Sequence, residues 1–162
     1  MPGDLYRFAN HAADAPGLAV NGQPVALRSG LTNGFARLTL GLRSCDVIEL
    51  DLPMPVRRVV AHPDVKDCAR KVALQRGPVV YCFEGADHGG LVLDLTMSAD
   101  ADFAPRRRYD LLDGTIVLEG ELIRAGERIR ATAIPYHLWS NRGAGEMTVW
   151  LDTAPAKTLQ QP

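Results

Sequence analysis

Residues 47–52 read Val-Ile-Glu-Leu-Asp-Leu, and residues 128–133 read Arg-Ile-Arg-Ala-Thr-Ala. Both stretches alternate between apolar and polar side chains. A period of two places successive side chains on opposite faces of an extended chain, which is the pattern of a half-buried β-strand. We therefore expect Ile48, Leu50 and Leu52 to share one buried face, opposite Glu49 and Asp51.

Short runs of the same character recur along the chain and are separated by turn residues, which is the spacing of an all-β domain. Asn21-Gly22 is a strong hairpin signal. Residues 64–74 give at most one helical turn, and residues 100–109 are predicted to form a loop that includes Arg106-Arg107-Arg108. The predicted strands are 18–20, 24–27, 35–40, 47–52, 56–61, 72–75, 79–84, 91–95, 115–119, 128–134 and 147–151.

These runs predict an all-β fold with almost no helix. The predicted architecture is an antiparallel, jelly-roll-like β-sandwich, because no crossover helices are available to join parallel strands. A break near residues 62–67 divides the strands into two groups. We expect residues 1–62 to be the later, truncated part of a first β-sandwich, and residues 63–162 to be a second, fuller one.

Charge and hydropathy exclude several classes of function. The 18 basic and 19 acidic residues leave a net charge of −1, whereas nucleic-acid binding usually needs a strong basic excess. No run approaches the ~20 apolar residues that cross a bilayer. The first residues also lack the pattern of a signal peptide, which slightly favours a cytoplasmic location. We expect neither nucleic acid nor membrane as a partner.

The sequence offers no convincing catalytic or metal centre. Glu84 and Asp87 are the obvious pair of carboxylates, but any acidic hairpin turn has their spacing, so we interpret them as structural. Cys45, Cys68 and Cys82 are odd in number and widely spaced, unlike a disulfide framework or a zinc site. The prediction is no catalytic residue, no metal and no cofactor in this chain.

One segment is rich in side chains that recognise ligands: Tyr136, Trp139, Asn141 and Arg142. Such side chains stack on sugar rings and bond sugar hydroxyls. Packing is the favoured interpretation, because aromatic residues make up only 6% of the chain, and docking against another domain comes before sugar binding.

Two runs resemble the C-terminal region of the β-L-arabinofuranosidase-type glycoside hydrolases, family 127. One run is residues 52–59 continued by residues 71–84, and it includes the candidate structural motif Arg76-Gly77-Pro78, Tyr81 and Glu84. The other is residues 133–151, which ends near Trp150. The resemblance implies a parent protein with an (α/α)-barrel catalytic domain followed by two β-sandwich domains. In that family the catalytic cysteine, the zinc ligands and the acid/base glutamate belong to the barrel, and no motif of this chain matches them.

The resemblance therefore predicts a non-catalytic C-terminal segment that supports or docks a missing N-terminal barrel, with a homodimer as a further possible assembly. On this view the chain alone is no enzyme, although its parent resembles a retaining glycoside hydrolase. The alternative is a carbohydrate-binding module that uses Tyr136, Trp139 and Arg142. A free-standing enzyme of another type is the third hypothesis.

Overall fold

The computed structural model describes residues 5–10, 15–27, 31–32 and 35–153. Within these residues the regular structure consists of fifteen short strands and three single 3₁₀ turns, at Lys66–Cys68, Gly85–Asp87 and Tyr136–Leu138. None of the described helical turns is long and apolar enough to cross a membrane. The strands are β1 (Tyr6–Phe8), β2 (Gly17–Val20), β3 (Gln23–Pro24), β4 (Leu31–Thr32), β5 (Phe35–Ala36), β6 (Ile48–Asp51), β7 (Val56–Ala61), β8 (Lys71–Arg76), β9 (Val79–Glu84), β10 (Thr96–Met97), β11 (Phe103–Arg108), β12 (Thr115–Arg124), β13 (Glu127–Pro135), β14 (Met147–Thr148) and β15 (Leu151–Thr153).

The chain divides into two compact units. Unit 1 comprises Met1–His11 and Val56–Pro162, and unit 2 comprises Ala12–Pro55. Strand β1 belongs to unit 1 because it pairs with β7. The predicted domain boundary between residues 62 and 63 stays a prediction, since compact units need not coincide with the domains of a longer protein.

Six described strands of unit 1 form a closed barrel. The ring runs β8-β15-β10-β12-β13-β9, and the pairing of β9 with β8 closes it. A sandwich consists of two separate sheets packed face to face, whereas a barrel is one sheet closed on itself. The prediction of a partial β-sandwich followed by a fuller one is therefore wrong. The prediction of a nearly all-β chain is confirmed, and among the described strands only β10 and β15 pair in parallel.

The barrel closes through a tight hairpin between β8 and β9. Arg76 pairs with Val79, so the turn has only two residues, Gly77 and Pro78. Gly77 has a φ of +55°, which fits the first central position of a type II′ turn and favours glycine. The Gln75 side chain also donates a hydrogen bond to the Gly77 carbonyl at 2.7 Å. The motif residues Gly77 and Pro78 thus turn the chain where the barrel closes.

The buried apolar side chains form a large cluster around Phe83 and Phe103 and a smaller one of Cys82, Val117 and Ile134. Phe83 and Phe103 meet edge to face with ring centroids 5.8 Å apart. Among the described residues, the largest fully buried side chains are Tyr81, Phe83, Leu74, Leu95, Met97, Leu118, Leu122, Ile134, Leu151, Val92, Val117 and Cys82.

Strand β11 was predicted to be part of a loop. It pairs with β12 over its whole length, from Phe103 opposite Gly120 to Arg108 opposite Thr115. Phe103 is buried, which anchors one end of the strand in the core. Pro105 and the arginines that follow lack the alternation of a half-buried strand, but proline and charge are common on edge strands. Residues 91–95, by contrast, form no strand.

Unit 2 contains a three-stranded sheet in the order β3-β2-β6. Asn21 and Gly22 both have positive φ and connect β2 to β3, so the predicted hairpin is confirmed. None of the described residues of unit 2 is buried. The predicted apolar face is therefore exposed: Ile48, Leu50 and Leu52 are 51%, 58% and 60% accessible.

Candidate functional site

The most highly connected polar group is an ion-pair cluster of Glu84, Asp87 and Arg142. Glu84 ends β9 and is only 5% exposed. Arg142 donates to Glu84 Oε2 through Nε at 3.1 Å and Nη2 at 2.5 Å. It also donates to the two Asp87 oxygens, through Nη1 at 2.7 Å and Nη2 at 2.6 Å. The backbone N–H of Ser140 donates to the remaining Glu84 oxygen, Oε1, at 2.8 Å.

This arrangement commits both carboxylates to one guanidinium. Four hydrogen bonds leave Arg142 with a single N–H donor, and each bond is charge-assisted. The Asp87 carboxylate, followed by that of Glu84, raises the pKa of Arg142 although burial acts in the opposite direction. The cluster fixes the 3₁₀ turn after β9 to the loop after β13.

Buried His88 tightens the same turn. Its Nδ1 lies 2.7 Å from the Glu84 carbonyl oxygen, and its Nε2 accepts from the Thr132 N–H at 3.3 Å. A carbonyl only accepts and an amide only donates, so these partners fit the tautomer with the proton on Nδ1. Arg124 donates to the His88 carbonyl at 3.0 Å and continues the network to β12.

A pocket of about 350 Å³ lies beside the cluster. Glycine dominates its walls, Trp139 is its largest neutral side chain, and Glu84 and Glu146 are its acidic side chains. Glu146 Oε2 accepts the N–H groups of Val92 at 2.8 Å and Leu93 at 3.2 Å. We name this cavity the glycine pocket, and its lining is Glu84, Gly85, Ala86, Gly89, Gly90, Trp139, Arg142, Gly143, Ala144, Gly145 and Glu146.

Tyr136 and Trp139 form an exposed aromatic pair at the edge of the pocket. Their rings stack at 17°, with centroids 6.2 Å apart, and they are 46% and 42% exposed. They are therefore not core residues. Asn141 donates to the Leu138 carbonyl at 3.0 Å and holds the turn below them.

The candidate sites thus come together only in part. Trp139 and Arg142 both line the pocket, whereas Tyr136 stacks on Trp139, and Asn141 serves the turn. Whether Tyr136, Trp139, Asn141 and Arg142 contact a sugar or a domain stays a prediction.

The other candidate motif residues lie around the barrel wall. Tyr81 is buried and donates its hydroxyl to the Ile116 carbonyl at 3.0 Å. Burial raises its pKa, and Arg76 partly opposes this effect. Trp150 stacks on Tyr6 at 5.8 Å beside an apolar groove.

A zinc ion finds no fitting ligand set in the described part of the chain. These residues include no group of three or more histidine, cysteine or acidic side chains placed to hold a metal ion. Burial, with a smaller effect of the Glu84 charge, raises the pKa of Cys82 to about 12. Cys82 is thus a buried core thiol.

Several contributors to this region were not predicted. Each of His88, Arg124 and Glu146 makes a hydrogen bond with a residue 36 to 54 positions away, and no local pattern marks them. Gly85 had a weak signal as a glycine next to an acidic residue. A Cβ at this position would lie 2.5 Å from the Gly90 carbonyl oxygen.

Comparison with known proteins gives a consistent result. The glycoside hydrolase family 127 C-terminal domain matches residues 56–152. The non-reducing end beta-L-arabinofuranosidase of Bifidobacterium longum subsp. longum is 32% identical, and the match covers 82% of this chain and 23% of that protein.

Solved structures agree. A GH127 beta-L-arabinofuranosidase from Geobacillus stearothermophilus T6 is 35% identical with a TM-score of 0.80, over 87% of this chain and 25% of that one. Another solved GH127 beta-arabinofuranosidase is 31% identical with a TM-score of 0.80, over 95% of this chain and 25% of that one. The chain spans about a quarter of the length of these relatives. It belongs to glycoside hydrolase family 127, and residues 56–152 are the C-terminal domain of that family.

Proposed function

We propose that this chain is a non-catalytic C-terminal part of a family 127 glycoside hydrolase and supports the catalytic part of that enzyme by docking against it. The observation that carries the proposal is the exposed apolar face of unit 2. Ile48, Leu50 and Leu52 of this face are all more than half exposed, as is Phe35 in the separate two-stranded sheet, and no described residue of the unit is buried. Apolar faces of this kind mark interaction surfaces.

The occupant of this face is the N-terminal part of the same protein. A three-stranded sheet that buries nothing does not stabilise itself, since burial of apolar area is the main favourable contribution to folding. Among the described strands, β6 also lies at the edge of its sheet, and an edge strand can pair with an added strand. Residues 15–55 precede the region that matches the C-terminal domain, so they adjoin the rest of the enzyme in sequence.

The ion-pair cluster supports the non-catalytic role. Hydrolysis of a glycosidic bond usually needs two carboxylates free to exchange protons or attack a sugar. Glu84 and Asp87 are instead bound to Arg142. The catalytic residues and the zinc site then belong to the N-terminal barrel, which is the expected partner, and this chain holds no cofactor. A homodimer remains compatible with this arrangement.

A hybrid enzyme tests the docking proposal. In the Geobacillus stearothermophilus relative, the C-terminal quarter is replaced by this chain, and the hybrid is compared with the relative truncated at the same point. We expect the hybrid to be soluble, to unfold cooperatively and to hydrolyse a β-L-arabinofuranoside, whereas the truncated form aggregates. Leu50→Lys in the hybrid should lower its unfolding temperature, and the exposed Tyr109→Lys should not. A truncated enzyme as stable as the hybrid would contradict the proposal.

The non-catalytic role has its own test. The 162-residue chain should release no sugar from a β-L-arabinofuranoside. Release that disappears in Glu84→Gln would overturn the proposal, because that substitution removes the one buried carboxylate of the cluster.

A further inference from the structure

We propose that the glycine pocket binds one neutral sugar ring of an oligosaccharide, with Trp139 as its stacking wall. This inference rests on the local geometry and on membership of a glycoside hydrolase family. It does not depend on the docking proposal. It makes unit 1 a non-catalytic sugar-binding subsite.

Trp139 gives the glycine pocket an aromatic wall. Sugar rings present apolar C–H faces that stack on aromatic side chains, and partly exposed tyrosine and tryptophan suit such amphipathic ligands. Tyr136 stacks on Trp139 and limits its freedom. The backbone on both sides of Trp139 is also held, since its own N–H donates to the Tyr136 carbonyl at 3.1 Å and the next N–H donates to Glu84. The wall is therefore largely preformed, which lowers the entropic cost of binding.

The charged lining selects against anions. Glu84 and Glu146 contribute two carboxylates to the pocket, and Arg142 contributes the opposing charge. Arg142 is already neutralised by Glu84 and Asp87, so no free positive charge remains for a phosphate or a uronic acid. Glu146 uses only Oε2 for the backbone, and in the described part of the chain its second oxygen makes no hydrogen bond. That oxygen is an acceptor for a sugar hydroxyl.

The glycine walls supply space and backbone donors. A cavity of about 350 Å³ falls at the lower end of the range of small-molecule sites, about 300–1,000 Å³, and suits a single ring. Among the described residues, the N–H groups of Ala144 and Gly145 have no partner. A Cβ on Gly145 would meet no atom within 4 Å, so this wall is open.

The test titrates the full 162-residue chain with methyl β-L-arabinofuranoside, methyl α-D-glucopyranoside and inorganic phosphate, followed by calorimetry and by saturation-transfer NMR. We expect saturable binding of at least one glycoside, with a dissociation constant of about 1 mM, and none of phosphate. Trp139→Ala should weaken binding at least about tenfold, which is about 1.4 kcal/mol. The matched control Tyr109→Ala, which removes an exposed aromatic side chain elsewhere, should leave binding unchanged.

Gly145→Leu provides a second test in case the Trp139→Ala protein does not fold. A Cβ at this position meets no atom within 4 Å, so we expect the protein to keep its unfolding temperature while the larger side chain at the pocket wall abolishes sugar binding. Sugar binding that survives both substitutions would overturn the proposal. So would the absence of saturation with either glycoside, or a preference for phosphate.

Discussion

Arg142 joins two segments, the 3₁₀ turn after β9 and the loop after β13. It pairs with Glu84, which is almost completely buried. Arg142→Ala leaves that carboxylate without its partner, and breaking a buried ion pair costs about 3–5 kcal/mol. Because Arg142 itself keeps some exposure, we expect the free energy of unfolding to fall by about 3 kcal/mol. Urea denaturation measures this change.

Two further variants locate the origin of that loss. Glu84→Gln should cost less than Arg142→Ala, because a neutral amide leaves no buried charge and its oxygen still accepts from the Ser140 N–H. Arg128 also binds two carboxylates, of Asp100 and Glu121, but all three side chains are exposed. Arg128→Ala should therefore change stability little. An equal effect of Arg142→Ala and Arg128→Ala would contradict the special role of burial.

At the scale of elements, β12 depends on a glycine. Gly120 lies opposite Phe103 of β11, and a Cβ there would lie 2.3 Å from the Asp102 carbonyl oxygen and 2.9 Å from the Phe103 ring. Gly120→Ala should thus force β11 away from β12 at an overpacking cost of about 1–3 kcal/mol. Hydrogen exchange of the β11 amides should accelerate selectively.

Gly41→Ala is the matched control, because no atom lies within 4 Å of the added Cβ. It should leave both stability and exchange in β11 unaltered. Exchange that stays slow in Gly120→Ala would show that the strands accommodate the methyl group.

The sequence pattern predicted where many of the strands lie, but it did not predict that they close into a barrel. Strand β13 falls on an alternating run, whereas β8 and β9 fall on short apolar runs bounded by turn residues and bury consecutive residues. β11 escaped prediction, since its three arginines resemble a solvated loop. The barrel depends on pairings between distant segments, such as Leu151 with Val72, and a period of two is the same in a barrel and a sandwich.

Prediction from sequence was limited in the same way at the ion-pair cluster. Glu84, Asp87 and Arg142 were each singled out from the sequence, but their ion pairs join residues 55 to 58 positions apart. The spacing of two acids in a turn carries no information about a distant arginine. Tyr136, by contrast, begins a 3₁₀ turn that Trp139 directly follows, so their proximity could be expected from their spacing.

At the scale of the whole molecule, the barrel and the remaining strands differ in how much they depend on the rest of the chain. All six strands of the ring lie between residues 71 and 153. Strand β1 adds one edge pairing and the stacking of Tyr6 on Trp150. The barrel therefore does not require residues 1–55 for closure.

A chain that begins at Val56 should accordingly fold by itself. We expect one cooperative thermal transition at a lower temperature than that of the full chain, because the Tyr6–Trp150 stack, worth about 0.5–1.5 kcal/mol beyond area burial, is lost. Tyr6→Ala in the full chain should account for part of that decrease. Sedimentation velocity should also show less self-association in the shorter chain, since the exposed apolar face of Ile48, Leu50 and Leu52 is removed. A shorter chain without a cooperative transition would mean that the barrel is not an independent folding unit and that its closure depends on the strands that precede it.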